Sequence, residues 1–410
     1  MPTSLLRRAL ALTPLLLAAA LMACGGSGGD DQPTPPPTEP ETPIELPPDP
    51  PQVAQGPGAL LSGEFVKTLS AADITAALRS PESKLQEGLD PVYDVASYRL
   101  TYTTTDKHGA EVTASGLLSL PLKPAGRPSP VLSYQHATTF HDDQAPSNKV
   151  EAYEPPLVLA SLGYIVVSPD YVGFGASRGQ EHPYLTAEPT ARAVVDMLVA
   201  ALHWRRQNQV ADNRQLFLVG YSEGGYATMA AHRALHLSDH ALKAHLQAAV
   251  PGAGPYDVLA TMDEHLKRVR AVSPTLARWL DPERLAGMPD SVRAEVRRLL
   301  LRQMVPEDGD VRYQTLFLDR YLANERAAIA AEHSVHLGWA PAVPVHLFHG
   351  RGDLTVPFTA AESARDALQA AGASEVSLTE CTTPKFGHLD CVPEYFRFAV
   401  ERMGQLARDL

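Results

Sequence analysis

Ser222 lies in Gly220-Tyr221-Ser222-Glu223-Gly224-Gly225. Before it, Gln215 to Val219 reads as a buried strand, and after it Tyr226 to Leu235 reads as a helix. A G-x-S-x-G pattern alone is a weak signal, but strand, sharp turn and helix are the setting of a nucleophile elbow. Its glycines suit a serine held in strained backbone with neighbouring chain packed closely. A serine hydroxyl is a poor nucleophile until a base removes its proton. Two later residues supply the partners in the order acid, then histidine. Asp353 stands in His349-Gly350-Arg351-Gly352-Asp353, just past the apolar run Val343 to Phe348. His388 stands in Gly387-His388-Leu389-Asp390, after the last strand-like run, Glu375 to Leu378. A loop carboxylate or histidine taken singly is ordinary surface chemistry. Taken together and in this order, Ser222, Asp353 and His388 read as a triad for acyl transfer.

The developing oxyanion needs backbone donors. One is expected from the N–H of Glu223, the residue after the nucleophile. The other is expected from the loop Gln135-His136-Ala137-Thr138-Thr139, from the N–H of Ala137 or alternatively of His136. The His136 side chain precedes the serine, which is the wrong order for a base. His349 reads as a structural turn residue beside the acid, and His182 in His182-Pro183-Tyr184 has no assigned role.

These residues need a frame to bring them together. Tyr98 to Thr104 and Glu111 to Leu120 alternate as strands around the turn signal Asp106-Lys107-His108-Gly109. Pro130 to Gln135, Tyr164 to Ser168 and His245 to Val250 are further buried strands. Ala187 to Arg206 reads as a helix with Thr186 as its N-cap, and Pro393 to Ala407 as a closing helix. Apolar strands separated by helices imply an α/β fold with a mostly parallel sheet covered on both faces. The stretch from about Pro255 to Ala342 is mostly helical with no obvious strand, far longer than an ordinary connection. It reads as a helical cap inserted over the carboxyl edge of the sheet. Leu299, Leu300 and Leu301 would fan over a wide arc of one of its helices. Some could pack on the sheet and others line an acyl pocket.

With these segments the chain resembles the secretory lipase family, a branch of the α/β-hydrolases. The resemblance rests on Tyr134-Gln135-His136, Pro169-Asp170-Tyr171-Val172-Gly173-Phe174-Gly175, His182-Pro183-Tyr184-Leu185 and the Ser222 elbow, and runs from about Tyr98 to the C-terminus. It implies an esterase or lipase acting on small-molecule or lipid esters, without metal or organic cofactor. The family pattern has Gly after the histidine where this chain has Ala137, so the second oxyanion donor departs from it.

Composition bounds the remaining classes. The chain has 410 residues, 44% hydrophobic and 20% charged, with a formal net charge of −12. So acidic a chain is a poor partner for nucleic acid, which is held by basic patches. Arg7 and Arg8 precede an apolar run, Ala9 to Met22, broken by Pro14 and too short for a comfortable membrane span. Leu21-Met22-Ala23-Cys24 resembles a bacterial lipobox, which makes 1–23 a signal peptide and Cys24 the lipidated first residue of the mature protein. By the same resemblance, Gly25 after the cysteine implies the outer membrane. Residues 24–58 are rich in Gly and then Pro and read as a disordered tether. The hydrolase domain follows over 59–410. Of the three cysteines, Cys381 and Cys391 flank His388 and are expected to form a disulfide, since exported proteins keep them.

Fold alone does not fix function. A small serine peptidase and an acyltransferase share the acyl-enzyme and remain alternatives, as does a non-catalytic ligand-binding lipoprotein. A carboxylate-nucleophile dehalogenase is excluded by Ser222, and a large propeller has no room before Pro130.

Overall fold

The computed structural model describes Asp49 and residues 51–410, apart from 86, 87 and 386. Cys24, the signal segment and most of the tether lie outside the described residues.

Nine strands form one sheet. In chain order they are β1 (Leu60–Leu69), β2 (Val95–Thr105), β3 (Glu111–Pro121), β4 (Ser129–Gln135), β5 (Ile165–Pro169), β7 (Asp212–Tyr221), β8 (Leu246–Gly252), β10 (Val345–His349) and β11 (Val376–Glu380). Two more strands of two residues each, β6 (Glu181–His182) and β9 (Arg312–Tyr313), pair in parallel apart from it. The order across the large sheet is β1-β2-β3-β5-β4-β7-β8-β10-β11. The pairs β1–β2, β2–β3 and β3–β5 are antiparallel, and every pair from β5–β4 onward is parallel.

The central strands are buried along their length, which explains why β4 and β5 read as unbroken apolar runs rather than alternating ones. Strand β1 was not legible in the sequence. It is an edge strand with mostly exposed side chains, and Gly63 on it lies against the Trp204 ring. Helices α1 (Ala71–Leu78), α2 (Pro155–Ser161) and α12 (Val392–Gly404) share one core with Leu132, Phe217 and Val250 of the sheet. Helix α3 (Ala187–Gln207) and helix α4 (Glu223–Leu237) pack on the other face, where Val194, Met197 and Ala227 meet Ile165, Leu218 and Ala249. Thr186 is the N-cap of α3 as expected, but its side chain makes no capping bond. Helix α11 (Thr359–Ala370) joins β10 to β11.

Between β8 and β10 lie the helices α5 (Val258–Val272), α6 (Pro274–Trp279), α7 (Pro282–Ala286), α8 (Asp290–Met304), α9 (Leu316–Leu322) and α10 (Arg326–Glu332), together with β9. The strand is a correction to the all-helical reading of this insert. At two residues it has too little sequence to show a period. The three leucines of α8 do fan apart. Leu299 is half exposed, while Leu300 and Leu301 pack against a cluster containing Phe317, Leu318 and Tyr321 of α9. Their packing is thus first of all within the insert.

The end of the proline-rich stretch is held rather than free. Asp49 pairs with Arg206 at 2.7 Å, His203 contacts the Pro51 carbonyl at 3.2 Å, and the Gly58 N–H donates to the Thr103 carbonyl at 2.7 Å. The spacer therefore ends earlier than the sequence boundary at 58.

Candidate active site

Strand β7 delivers Ser222 at the carboxyl edge of the sheet. The residue has φ 61° and ψ −123°, a strained conformation for a side chain, and serves as the N-cap position of α4. The sharp reversal brings the first turn of α4 against β4, and a Cβ on Gly224 would overlap the Gln135 carbonyl oxygen. Two further groups brace the turn. The Ser222 N–H donates to the Gly252 carbonyl at 2.9 Å. Buried Tyr395 from α12 accepts the Gly220 N–H at 2.9 Å and donates to the Val250 carbonyl at 2.6 Å.

The three residues singled out from sequence meet at this edge. His388 Nε2 lies 2.8 Å from Ser222 Oγ, and His388 Nδ1 lies 2.6 Å from Asp353 Oδ2. A carboxylate can only accept, so Nδ1 carries hydrogen and Nε2 faces the serine hydroxyl. Asp353 is fixed on its other oxygen, where Oδ1 accepts the N–H groups of Thr355 at 2.8 Å and Val356 at 2.9 Å. His349 Nε2 stands 3.3 Å from Asp353 Oδ2 and 2.9 Å from the Val356 carbonyl, so this histidine lies beside Asp353. Burial alone would raise the Asp353 pKa. Hydrogen bonds and charge from His349 and His388 outweigh it and hold the carboxyl well below the usual range. Ser222 and His388 keep partial exposure, and Asp353 is buried.

The disulfide is present. Cys381 and Cys391 have Cα atoms 5.9 Å apart and join the end of β11 to the start of α12. His388 sits inside the closed loop. The Cys381 N–H also donates to the His349 carbonyl at 2.9 Å, which ties the bridge to the acid strand.

Ala137 follows β4, and Glu223 opens α4 directly after the serine. Among the described residues no hydrogen bond takes up either N–H. The His136 side chain is committed elsewhere: Nδ1 reaches the Ala137 carbonyl at 2.8 Å, Nε2 the Asp170 carbonyl at 3.2 Å, and the ring stacks on Tyr171 at 4.2 Å. Burial pushes its pKa down. Asp170 of the Pro-Asp-Tyr segment is itself fully buried and accepts from Ser115, Ser147 Oγ and the Ser147 N–H.

Sequence reasoning missed two sets of contacts. His182 Nε2 lies 2.6 Å from the buried Glu223 carboxyl group, so a histidine with no assigned role touches the residue after Ser222. Arg268 of α5 reaches the carbonyls of Asp353 and Leu354 at 3.1 Å each, and His265 that of Thr355 at 3.1 Å. Neither pairing has a local signal, because the partners lie far apart in the chain.

A sheet of this order, with a strained serine after its central strand and an Asp and a His beyond two later ones, defines an α/β-hydrolase. Residues 152–274 match the secretory lipase family. A curated relative, Lipase A of Moesziomyces aphidis, is 32% identical over 153 residues, a stretch covering 33% of this chain and 30% of that protein. The rice cell wall degrading esterase LipA from Xanthomonas oryzae superposes with a TM-score of 0.63 and 25% identity, over 86% of this chain and 100% of that one. A protein from Legionella pneumophila does so with a TM-score of 0.66 and 24% identity, over 84% and 97%.

Proposed function

We propose that this protein is a serine hydrolase of carboxylic esters, working through an acyl-enzyme on Ser222. The observation that carries the reading is the hydrogen-bonded run from Asp353 through His388 to Ser222 Oγ. In it His388 takes the serine proton as Oγ attacks the ester carbonyl, then gives it to the leaving alcohol. Asp353 keeps the ring in the tautomer that does this and offsets the charge formed. The tetrahedral oxyanion is met by the N–H groups of Glu223 and Ala137, with that of His136 as the alternative to the second. Water, activated by the same histidine, releases the acid. No step calls for a metal or organic cofactor.

The secretory lipase match and the esterase neighbours support ester over amide substrates. We further place the protein on the cell envelope through lipid on Cys24, with the outer membrane the compartment that Gly25 favours. The deciding experiment pairs p-nitrophenyl acyl esters with aminoacyl anilides and adds a fluorophosphonate probe. Ester turnover with labelling of Ser222 is expected. Faster anilide cleavage would make it a peptidase, acyl transfer to an added alcohol in preference to water an acyltransferase, and absence of labelling a dead site.

A further inference from the structure

The two-residue ladder between β6 and β9 lies outside the main sheet, yet both of its strands reach the segments that carry the oxyanion donors. On β6, His182 is buried with one ring nitrogen on each side engaged by an acceptor. Nδ1 lies 2.9 Å from the Val172 carbonyl and Nε2 lies 2.6 Å from Glu223 Oε1. A carbonyl can only accept, so Nδ1 carries hydrogen. The short contact to Glu223 then requires one further hydrogen between nitrogen and oxygen. The pair is therefore held together by a shared proton, whichever atom carries it. Glu223 is 3% exposed, so little water competes for that bond.

On β9, Tyr313 sits opposite His182 in the register and donates its hydroxyl to the Thr139 carbonyl, two residues beyond Ala137. The Gln314 N–H adds a bond to the His182 carbonyl at 3.0 Å. Around the His182 ring stand Tyr171, Phe174 and Tyr313, with centroids 5.8, 5.2 and 5.1 Å away. Gly173 makes this approach possible, since a Cβ there would come within 2.9 Å of the His182 backbone.

We infer that the β6–β9 ladder is the frame of the oxyanion hole: His182 positions the Glu223 donor, Tyr313 positions the Ala137 donor, and the helical insert thereby braces the catalytic centre. This rests on the acyl-transfer reading above. His182 and Tyr313 are positioning residues, because neither touches the reacting atoms. Their effect falls on the transition state, where the oxyanion forms, and little on the bound ester.

The test compares full-length wild type with His182→Leu, Glu223→Leu, Glu223→Gln and Tyr313→Phe. Fluorophosphonate labelling taken to completion counts competent sites, so kcat per labelled site separates positioning from loss of folded protein. Losing a whole oxyanion donor costs about 10²- to 10³-fold in kcat, so displacing one should cost about 10- to 100-fold. That drop is expected for His182→Leu and Glu223→Leu on p-nitrophenyl acetate, with KM within about twofold. Tyr313→Phe keeps the ring and should lose about 3- to 10-fold. Glu223→Gln should lose less than Glu223→Leu, because the amide N–H supplies a hydrogen to Nε2 that leucine cannot. Across the set, inhibition by a trifluoromethyl ketone, whose adduct carries the oxyanion, should weaken in step with kcat/KM. Wild-type kcat per labelled site in His182→Leu, Glu223→Leu and Tyr313→Phe alike would overturn the inference. A wild-type protein that fails to label at all would overturn the hydrolase reading beneath it.

Discussion

Arg268 Nη2 lies 3.1 Å from the backbone carbonyl of Asp353, and Nη1 lies 3.1 Å from that of Leu354. One guanidinium from the insert thus grips consecutive peptides of the loop that carries Asp353. Arg268→Ala removes both bonds, each worth about 0.5–1.5 kcal/mol. We expect a loss of about 1–2 kcal/mol in urea unfolding and a kcat that falls more than KM rises. Lys, a point donor, cannot span both carbonyls and should restore at most part of it. Unchanged stability and kcat in Arg268→Ala would show that the insert does not hold this loop.

Ser222→Ala should abolish ester turnover and fluorophosphonate labelling while leaving the circular dichroism spectrum unaltered. Because the three groups act as a unit, His388→Ala should lose nearly as much, at least about 10³-fold in kcat. Asp353→Asn keeps the shape but presents an amide N–H toward the histidine, and about 10²- to 10⁴-fold is expected. More than a few per cent of wild-type rate in Ser222→Ala would overturn the assignment.

The Cys381–Cys391 bridge spans 10 positions of sequence and encloses His388. Closing so short a loop stabilises the fold by roughly 3 kcal/mol in the chain-entropy view. The paired variant Cys381→Ser/Cys391→Ser should therefore melt lower than wild type. Its kcat should drop as well, because the loop carrying the base gains freedom. Equal melting temperatures for the two proteins would refute a structural role for the bridge.

Asp257 caps α5 at the start of the insert, accepting from the Ala260 N–H at 3.0 Å and from Ser363 at 2.6 Å, with His336 3.3 Å away. Burial alone would raise its pKa, but hydrogen bonds from His336, Ser363 and Ala260 hold the carboxyl down at about 2, against an ordinary 3.8. A depressed folded-state pKa stabilises the fold above the unfolded value, and the gain disappears as pH falls toward the folded one. Asp257→Asn should accordingly be less stable than wild type at pH 7, with the gap shrinking between about pH 4 and pH 2. A gap that stayed constant over that range would mean that charge on Asp257 contributes nothing.

Cys24→Ser should move the protein from the membrane fraction to the soluble one, because the proposed anchor is lipid on that thiol. Mass analysis of the wild-type protein should find a diacylated or triacylated N-terminus at Cys24. Equal partition of both proteins would remove the anchor from the account.

Much of the frame was legible because buried parallel strands are written as apolar runs. The segments at Pro130, Tyr164, Gln215, His245 and Val343 each became a strand within a few residues of their expected bounds. Edge strand β1 and the ladder of β6 and β9 were not legible. The first exposes most of its side chains, and the others are too short to carry a period. The α8 leucines spread over a wide arc, as their consecutive positions require, but which neighbours they meet depended on α9, and sequence spacing gave no means of choosing it.

The sequence by itself determined the strand–turn–helix setting of Ser222 and the order of Ser222, Asp353 and His388, because residue type and chain position are what such a motif consists of. It also placed two cysteines at a spacing that a bridge can close. Only the tertiary structure decided that His182 meets Glu223 across 41 positions, that Arg268 meets the acid loop across 85, and that Tyr313 reaches Thr139 across 174. The physical reason is range. Periodicity and turn chemistry act over a few residues, whereas these bonds exist only after the sheet has closed and the insert has docked, when distant backbone carbonyls and buried carboxylates must each find a donor.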